Sequence, residues 1–92
     1  MPKQIIATTE APRAIGPYSQ AVRAGDLVFL SGQIPLDPDT GELLRGDAAA
    51  QTRRVMDNLG AVLRAAGSGF DRVVRATIYL TSLNDFARVN EV

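Results

Sequence analysis

Histidine, cysteine and tryptophan are all absent from this 92-residue chain. Without cysteine there is no disulfide, no thiolate nucleophile and no cysteine-based zinc or iron–sulfur site. Without histidine there is no imidazole base, no Ser-His-Asp triad and no histidine metal ligand. An excess of one charge is missing too. Ten Lys and Arg balance ten Asp and Glu, so the chain as a whole carries no nucleic-acid or membrane footprint. A carboxylate-only Mg²⁺ or Ca²⁺ site stays open, but the acidic residues are scattered rather than clustered. No apolar run approaches the roughly 20 residues of a membrane span. The opening Met1-Pro2-Lys3-Gln4 lacks the apolar stretch of a signal peptide. A cytoplasmic protein with no membrane partner is the expectation.

The working groups that remain are carboxylates, hydroxyls, amides, two tyrosines and ten cations. Apolar residues make up 46 % of the chain, enough for a core and too many for disorder. The length allows one domain. A chain this short buries only about 60–65 % of the surface its unfolded form exposes, so oligomerisation is the natural further source of stability.

Lys3–Thr8 reads as a short strand centred on Ile5 and Ile6. Glu10–Tyr18, with Pro12, Gly16 and Pro17, is irregular because each proline removes a donor and restricts the residue before it. Ser19–Ala24 and Leu27–Ser31 flank Gly25-Asp26 and predict a hairpin. The continuous apolar run Leu27-Val28-Phe29-Leu30 predicts a strand buried on both faces. Gly32–Gly46 is a loop with turn chemistry at Asp37-Pro38-Asp39-Thr40-Gly41, and Leu43-Leu44 is a brief edge pairing.

Asp47–Ala66 predicts an amphipathic helix. Thr52, Val55, Met56, Leu59, Val62, Leu63 and Ala66 recur at i, i+3, i+4 and i+7, while Arg53, Arg54, Asp57, Asn58 and Arg64 fall largely on the other side. Asp47 suits the N-cap and Gly67 the C′ position. Arg72–Thr81 alternates, predicting a strand that turns Val74, Ala76, Ile78 and Leu80 toward the helix. Ser82-Leu83-Asn84-Asp85 resembles a capping box opening a second helix, with Phe86, Val89 and Asn90 on one face. That helix reaches Val92 without a Gly or Asn cap, which reads as an interruption.

Three segments admit a functional reading beside a structural one. Ala14–Ala21 is either a tight turn feeding a strand or a Gly16-Pro17 bend that presents the Tyr18 hydroxyl to a cleft. Ser31-Gly32-Gln33-Ile34-Pro35 is either a strand end or a place where Gly32 lets a ligand approach the backbone. Asn90 is either a solvated amide or a hydrogen-bonding group for a substrate or a neighbouring subunit. Arg53, Arg54 and Arg64 read as a solvated helix face.

Taken together and in this order, the segments resemble the RidA (YjgF) family. The resemblance is carried by Ala14–Ala21 (AIGPYSQA), Ser31–Pro35 (SGQIP), Gln51–Ala66 around Met56-Asp57-Asn58-Leu59, Val74–Thr81, and Leu83–Asn90 (LNDFARVN). Each motif is weak alone; the ordered set is specific. It implies an α+β, chorismate-mutase-like fold, a mixed sheet with two helices on one face. It implies homotrimers with clefts between subunits. The implied activity is hydrolysis of reactive 2-imino and enamine acids of the 2-aminoacrylate type to 2-oxo acids and ammonia, as by a 2-iminobutanoate/2-iminopropanoate deaminase. No metal and no organic cofactor are implied. By the same resemblance, Tyr18 and Asn90 are catalytic residues, and Ser31 and Gly32 bind substrate through the backbone.

Family members run longer than this chain. Residues 1–92 are therefore expected to form a single RidA-like domain that is C-terminally incomplete, truncated before the last two strands. The resemblance assigns to that further stretch an arginine that pairs with the substrate carboxylate and a glutamate that positions water. Neither role passes to Arg88 or Glu91, and a bidentate arginine–carboxylate pair is hard to replace. An unpaired sheet edge would be left exposed, so clean trimerisation of this length is not expected. The competing readings are a non-catalytic small-ligand-binding or regulatory member of the family, an inactive truncated fragment, and an RNA-cleaving protein. Zero net charge and the lack of stacking aromatics beside Arg53-Arg54 speak against the last.

Overall fold

A two-residue connection, Gly25-Asp26, closes the hairpin that starts the fold. Gly25 has φ 61° and Asp26 does not have positive φ, the pattern of a type II′ turn, whose twist matches that of the strands it joins. The computed structural model of the protein describes residues 3–16 and 18–92. In it, β1 (Lys3–Ile6), β2 (Ala21–Ala24) and β3 (Leu27–Leu30) form one antiparallel sheet in the order β1-β2-β3. The register aligns Ile6, Ala21 and Leu30 in one row and Ile5, Val22 and Phe29 in the next. Because side chains alternate across a strand, these rows lie on opposite faces.

The inner row meets α1 (Ala48–Ala65). Ile6, Ala11, Ala21, Ala61, Val62 and Ala66 form the core, with Val28 and Leu30 packed against it. The outer row stays exposed, Ile5 at 64 % and Phe29 at 61 %. The expectation that Leu27–Leu30 is buried on both faces is thus corrected: one helix covers one face, and Leu27 and Phe29 point away from it.

Helix α1 begins and ends as its sequence requires. The Asp47 carboxylate accepts from the Ala50 N–H at 2.8 Å, a cap worth about 1 kcal/mol. At the far end Gly67 has φ 75°. Its N–H donates to the Arg64 carbonyl at 2.9 Å, and the Ser68 N–H donates to the Leu63 carbonyl at 2.8 Å. This pair of bonds is the Schellman closure. Arg23, on the inner sheet face, donates from its guanidinium to the Ala66 carbonyl, placing a cation at the negative end of the helix.

Asn58 departs from the expected solvated side of α1, being fully buried. Its Nδ2 donates to the Leu36 carbonyl at 3.0 Å and its Oδ1 accepts from Arg54 Nε at 3.2 Å. The helix period alone does not show this, because the covering partner is a loop rather than the sheet. That loop, 32–46, is held by a bridge between Leu36 and Leu43, as the edge reading of Leu43-Leu44 anticipates.

The largest correction concerns Arg72–Thr81. A 3₁₀ turn, Phe70–Arg72, leads into the segment, but no strand partner pairs with it among the described residues. Val74 and Tyr79 are 92 % and 91 % exposed, and Ile78 is exposed as well. Alternation expresses a preference for a ladder; without a neighbouring strand to supply hydrogen bonds, the backbone groups face solvent instead. The strands described are all antiparallel. Ser82 Oγ accepts from the Asn84 N–H at 3.3 Å and opens a second 3₁₀ turn, Leu83–Asp85, continued by α2 (Phe86–Glu91). On α2 Val89 is buried, whereas Phe86 and Asn90 remain exposed. The architecture is α+β, a small sheet with two helices.

Candidate functional site

The segment between β1 and β2 delivers Tyr18, and the end of β3 delivers Ser31 and Gly32. Gly16 has φ 106°, a conformation that L side chains rarely adopt. The Tyr18 N–H donates to the Gly16 carbonyl at 2.9 Å. Pro17, the other residue of the expected bend, lies outside the described residues. Tyr18 is half exposed.

Ser31 is tied to the same segment twice. Its N–H donates to the Gln20 carbonyl at 3.0 Å, and its hydroxyl donates to the Ser19 carbonyl. A Cβ placed on Gly32 would meet nothing within 4 Å, so a small molecule can reach the backbone there from the open side. These bonds bring the end of β3, with Ser31 and Gly32, beside the backbone that directly follows Tyr18. Asn90 stands on α2, which packs on α1. No hydrogen bond joins it to the other three among the described residues.

Gln20 is the residue of this region that motif reading passes over, although it lies within the AIGPYSQA stretch. It is 4 % exposed. Its Oε1 accepts from the Thr8 N–H at 2.6 Å, and its Nε2 lies 2.7 Å from the Pro12 carbonyl, 3.1 Å from that of Thr8 and 3.4 Å from that of Ala11. Buried polar groups are costly unless hydrogen-bonded, and here the amide is fully engaged. A glutamine between prolines and a strand carries no sequence mark of burial, so only the fold reveals it.

Two surface grooves lie elsewhere. One, of about 450 Å³, runs between the 37–45 loop and α1, lined by residues that include Leu43, Arg45, Arg53 and Asp57. The other, of about 410 Å³, lies where the start of α1 meets Tyr79–Thr81 and Asp85. Neither includes Tyr18, Ser31, Gly32 or Asn90. Beside the first groove, the Asp37 carboxyl is held below its ordinary value by the Asp39 and Thr40 N–H groups it accepts from, helped by the Arg54 charge. No group of three or more acidic side chains suited to a metal ion occurs among the described residues. Nor is any helix there long and apolar enough to cross a membrane.

Residues 8–92 match the family described as Endoribonuclease L-PSP. A RutC family protein of Pyrococcus abyssi is 52 % identical over 92 residues, covering all of this chain and 72 % of the relative. The 2-iminobutanoate/2-iminopropanoate deaminase of Mus musculus is 46 % identical over 90 residues, covering 98 % of this chain and 67 % of the relative. Among solved structures, the Rid family protein YyfA of Yersinia pestis superposes with a TM-score of 0.95 at 47 % identity, over 98 % of this chain and 71 % of that one. TdcF of E. coli, solved with bound serine, superposes with a TM-score of 0.90 at 46 % identity, over 96 % of this chain and 68 % of that one.

Proposed function

Because this chain belongs to the Rid (YjgF/RidA/RutC) family, we propose that it serves the hydrolytic deamination of reactive 2-imino and enamine acids to 2-oxo acids and ammonia. The observation that carries the reading is the 46 % identity, over 90 residues, to a relative named for that reaction. The serine bound in the related TdcF structure supports it, since serine presents the same carboxylate beside a nitrogen-bearing carbon.

The chemistry suits a chain without histidine or cysteine. A protonated imine carbon is already electrophilic, so catalysis rests on holding the substrate, placing a water and stabilising the charge that moves. Water adds to C2, the new hydroxyl surrenders its proton as nitrogen gains one, and the C–N bond breaks to leave ammonia and the 2-oxo acid. In this reading the Tyr18 hydroxyl donates to or accepts from the reacting centre, and the Ser31–Gly32 backbone holds the polar end of the substrate. Asn90 supplies a hydrogen bond to the substrate or to a neighbouring subunit in a homotrimer of the complete protein. The same proposal assigns a carboxylate-pairing arginine and a water-positioning glutamate to the stretch by which relatives exceed the matched region, and gives neither role to Arg88 or Glu91. The reading needs no metal and no organic cofactor.

The test is ammonia release from a 2-imino acid generated in situ, with the product of the full gene present and absent. Acceleration supports the deaminase. No acceleration, with specific binding of small 2-amino or 2-oxo acids retained, replaces it with a non-catalytic ligand-binding role. Salt-sensitive RNA binding with cleavage, and no imine hydrolysis, would favour the activity in the family's description instead.

A further inference from the structure

Ser31 and Tyr18 come from different parts of the chain, and Gln20 lies between them in sequence. Gln20 follows Tyr18 by two positions and opens onto β2. Its backbone carbonyl accepts from the Ser31 N–H at 3.0 Å, while the neighbouring Ser19 carbonyl accepts from the Ser31 hydroxyl. Its side chain turns the opposite way, into the protein. There it accepts from the Thr8 N–H and donates toward the Thr8, Ala11 and Pro12 carbonyls. Ala11 and Ala21 beside it are 2 % and 1 % exposed, so the clasp sits against the core rather than in solvent. One residue thus fastens three stretches of chain: the exit of β1, the segment that carries Tyr18, and the end of β3.

We propose that Gln20 is a positioning residue for the Tyr18–Ser31–Gly32 surface, its buried amide fixing the spacing between the Tyr18 hydroxyl and the Gly32 backbone. The inference rests on reading that surface as the substrate-binding one. An amide is needed for the role. Leucine or methionine of similar bulk would leave the Thr8 N–H and three carbonyls without their partner. Glutamate would keep the acceptor toward Thr8 but set a carboxylate against carbonyl oxygens. Asparagine is one methylene too short to reach the same atoms.

The experiment compares the parent protein with Gln20→Glu and Gln20→Met by NMR of the two tyrosine rings and by amide hydrogen exchange. Tyr79, 91 % exposed, is the internal control, and Tyr79→Phe assigns the signals. The expected result is that the Tyr18 ring signals move toward those of an exposed, averaged tyrosine while Tyr79 does not change. The Ser31 and Thr8 amides would then exchange at least tenfold faster, together. Tyr18 and Ser31 signals that stay in place, with only a lower melting temperature, would overturn the proposal. Should neither variant fold, exchange in the parent protein decides. Thr8 and Ser31 amides opening at one common rate support a single clasp, and independent opening refutes it. The imine assay is run alongside. Gln20→Met that loses at least tenfold in kcat with KM changed less than threefold joins the clasp to catalysis, and unchanged kinetics removes that link. Loosened Tyr18 with no hydrolysis by the parent leaves the positioning role standing and sinks the deaminase reading alone.

Discussion

The Asn58 side-chain amide donates to the Leu36 carbonyl at 3.0 Å across 22 residues of sequence. This bond fastens the 32–46 loop to α1 from the loop's inner side, and Asn58 is wholly shielded from solvent.

Replacing Asn58 by alanine leaves the Leu36 carbonyl without its donor and frees Arg54 from Oδ1. The expected cost is about 2 kcal/mol, a fall in melting temperature of roughly 10 °C for a domain of this size. Thermal unfolding followed by circular dichroism checks it. A change below about 0.5 kcal/mol, the usual range of surface substitutions, would show that the loop does not depend on this bond.

Gly67→Ala isolates a backbone effect. A Cβ at Gly67 meets nothing within 4 Å, yet the residue holds φ 75°. The substitution should cost about 1 kcal/mol, the price of a left-handed L-residue. Gly67→Asn should cost less, since asparagine tolerates that region better. Equal destabilisation by both, read from urea midpoints, would point to side-chain crowding instead.

The Asp37 turn should loosen in acid. Its carboxyl is held below the ordinary value of 3.8 by the Asp39 and Thr40 N–H groups first, with the Arg54 charge adding to the effect. A depressed folded value means that the contribution is complete above 3.8 and is lost as pH falls through the lower, folded value. NMR titration of the Thr40 amide should show this step in the parent and not in Asp37→Asn, which keeps an acceptor but does not titrate.

Tyr18→Phe should leave stability within about 0.5 kcal/mol, because the ring is half exposed. If the hydroxyl acts on the substrate, kcat/KM for the imino acid should fall about tenfold, equivalent to about 1.4 kcal/mol. Undiminished turnover would take Tyr18 out of the mechanism.

Local signals were legible in the sequence and relational ones were not. Asp47, Gly67 and the Gly25-Asp26 pair each act on their own backbone or that of immediate neighbours, so their effects follow from short windows. The apolar stripe through Val62 and Ala66 likewise follows from helix period. The burial of Asn58 and Gln20 does not show in short windows because their partners, Leu36 in one case and Thr8, Ala11 and Pro12 in the other, are distant in sequence. Arg72–Thr81 failed for the converse reason. Its alternation is real, but a strand is a property of two segments, and no second segment pairs with it among the described residues. At the candidate site, Tyr18, Ser31 and Gly32 stand out in the sequence only as parts of an ordered set of motifs, and no hydrogen bond joins Asn90 to them among the described residues.

The buried residues of α1 are Asn58 and Gly60–Leu63, all in its second half, and Ala66 just beyond is buried as well. That end is also the one that Arg23 ties to the sheet. The first half relies on the Asp47 cap and partly covered side chains. Burial and tertiary anchoring set local opening free energies, so α1 is a graded rod rather than a uniform one. Amide protection should climb along it, with unwinding starting at the capped end and the Gly60–Leu63 turn releasing only when the whole domain unfolds.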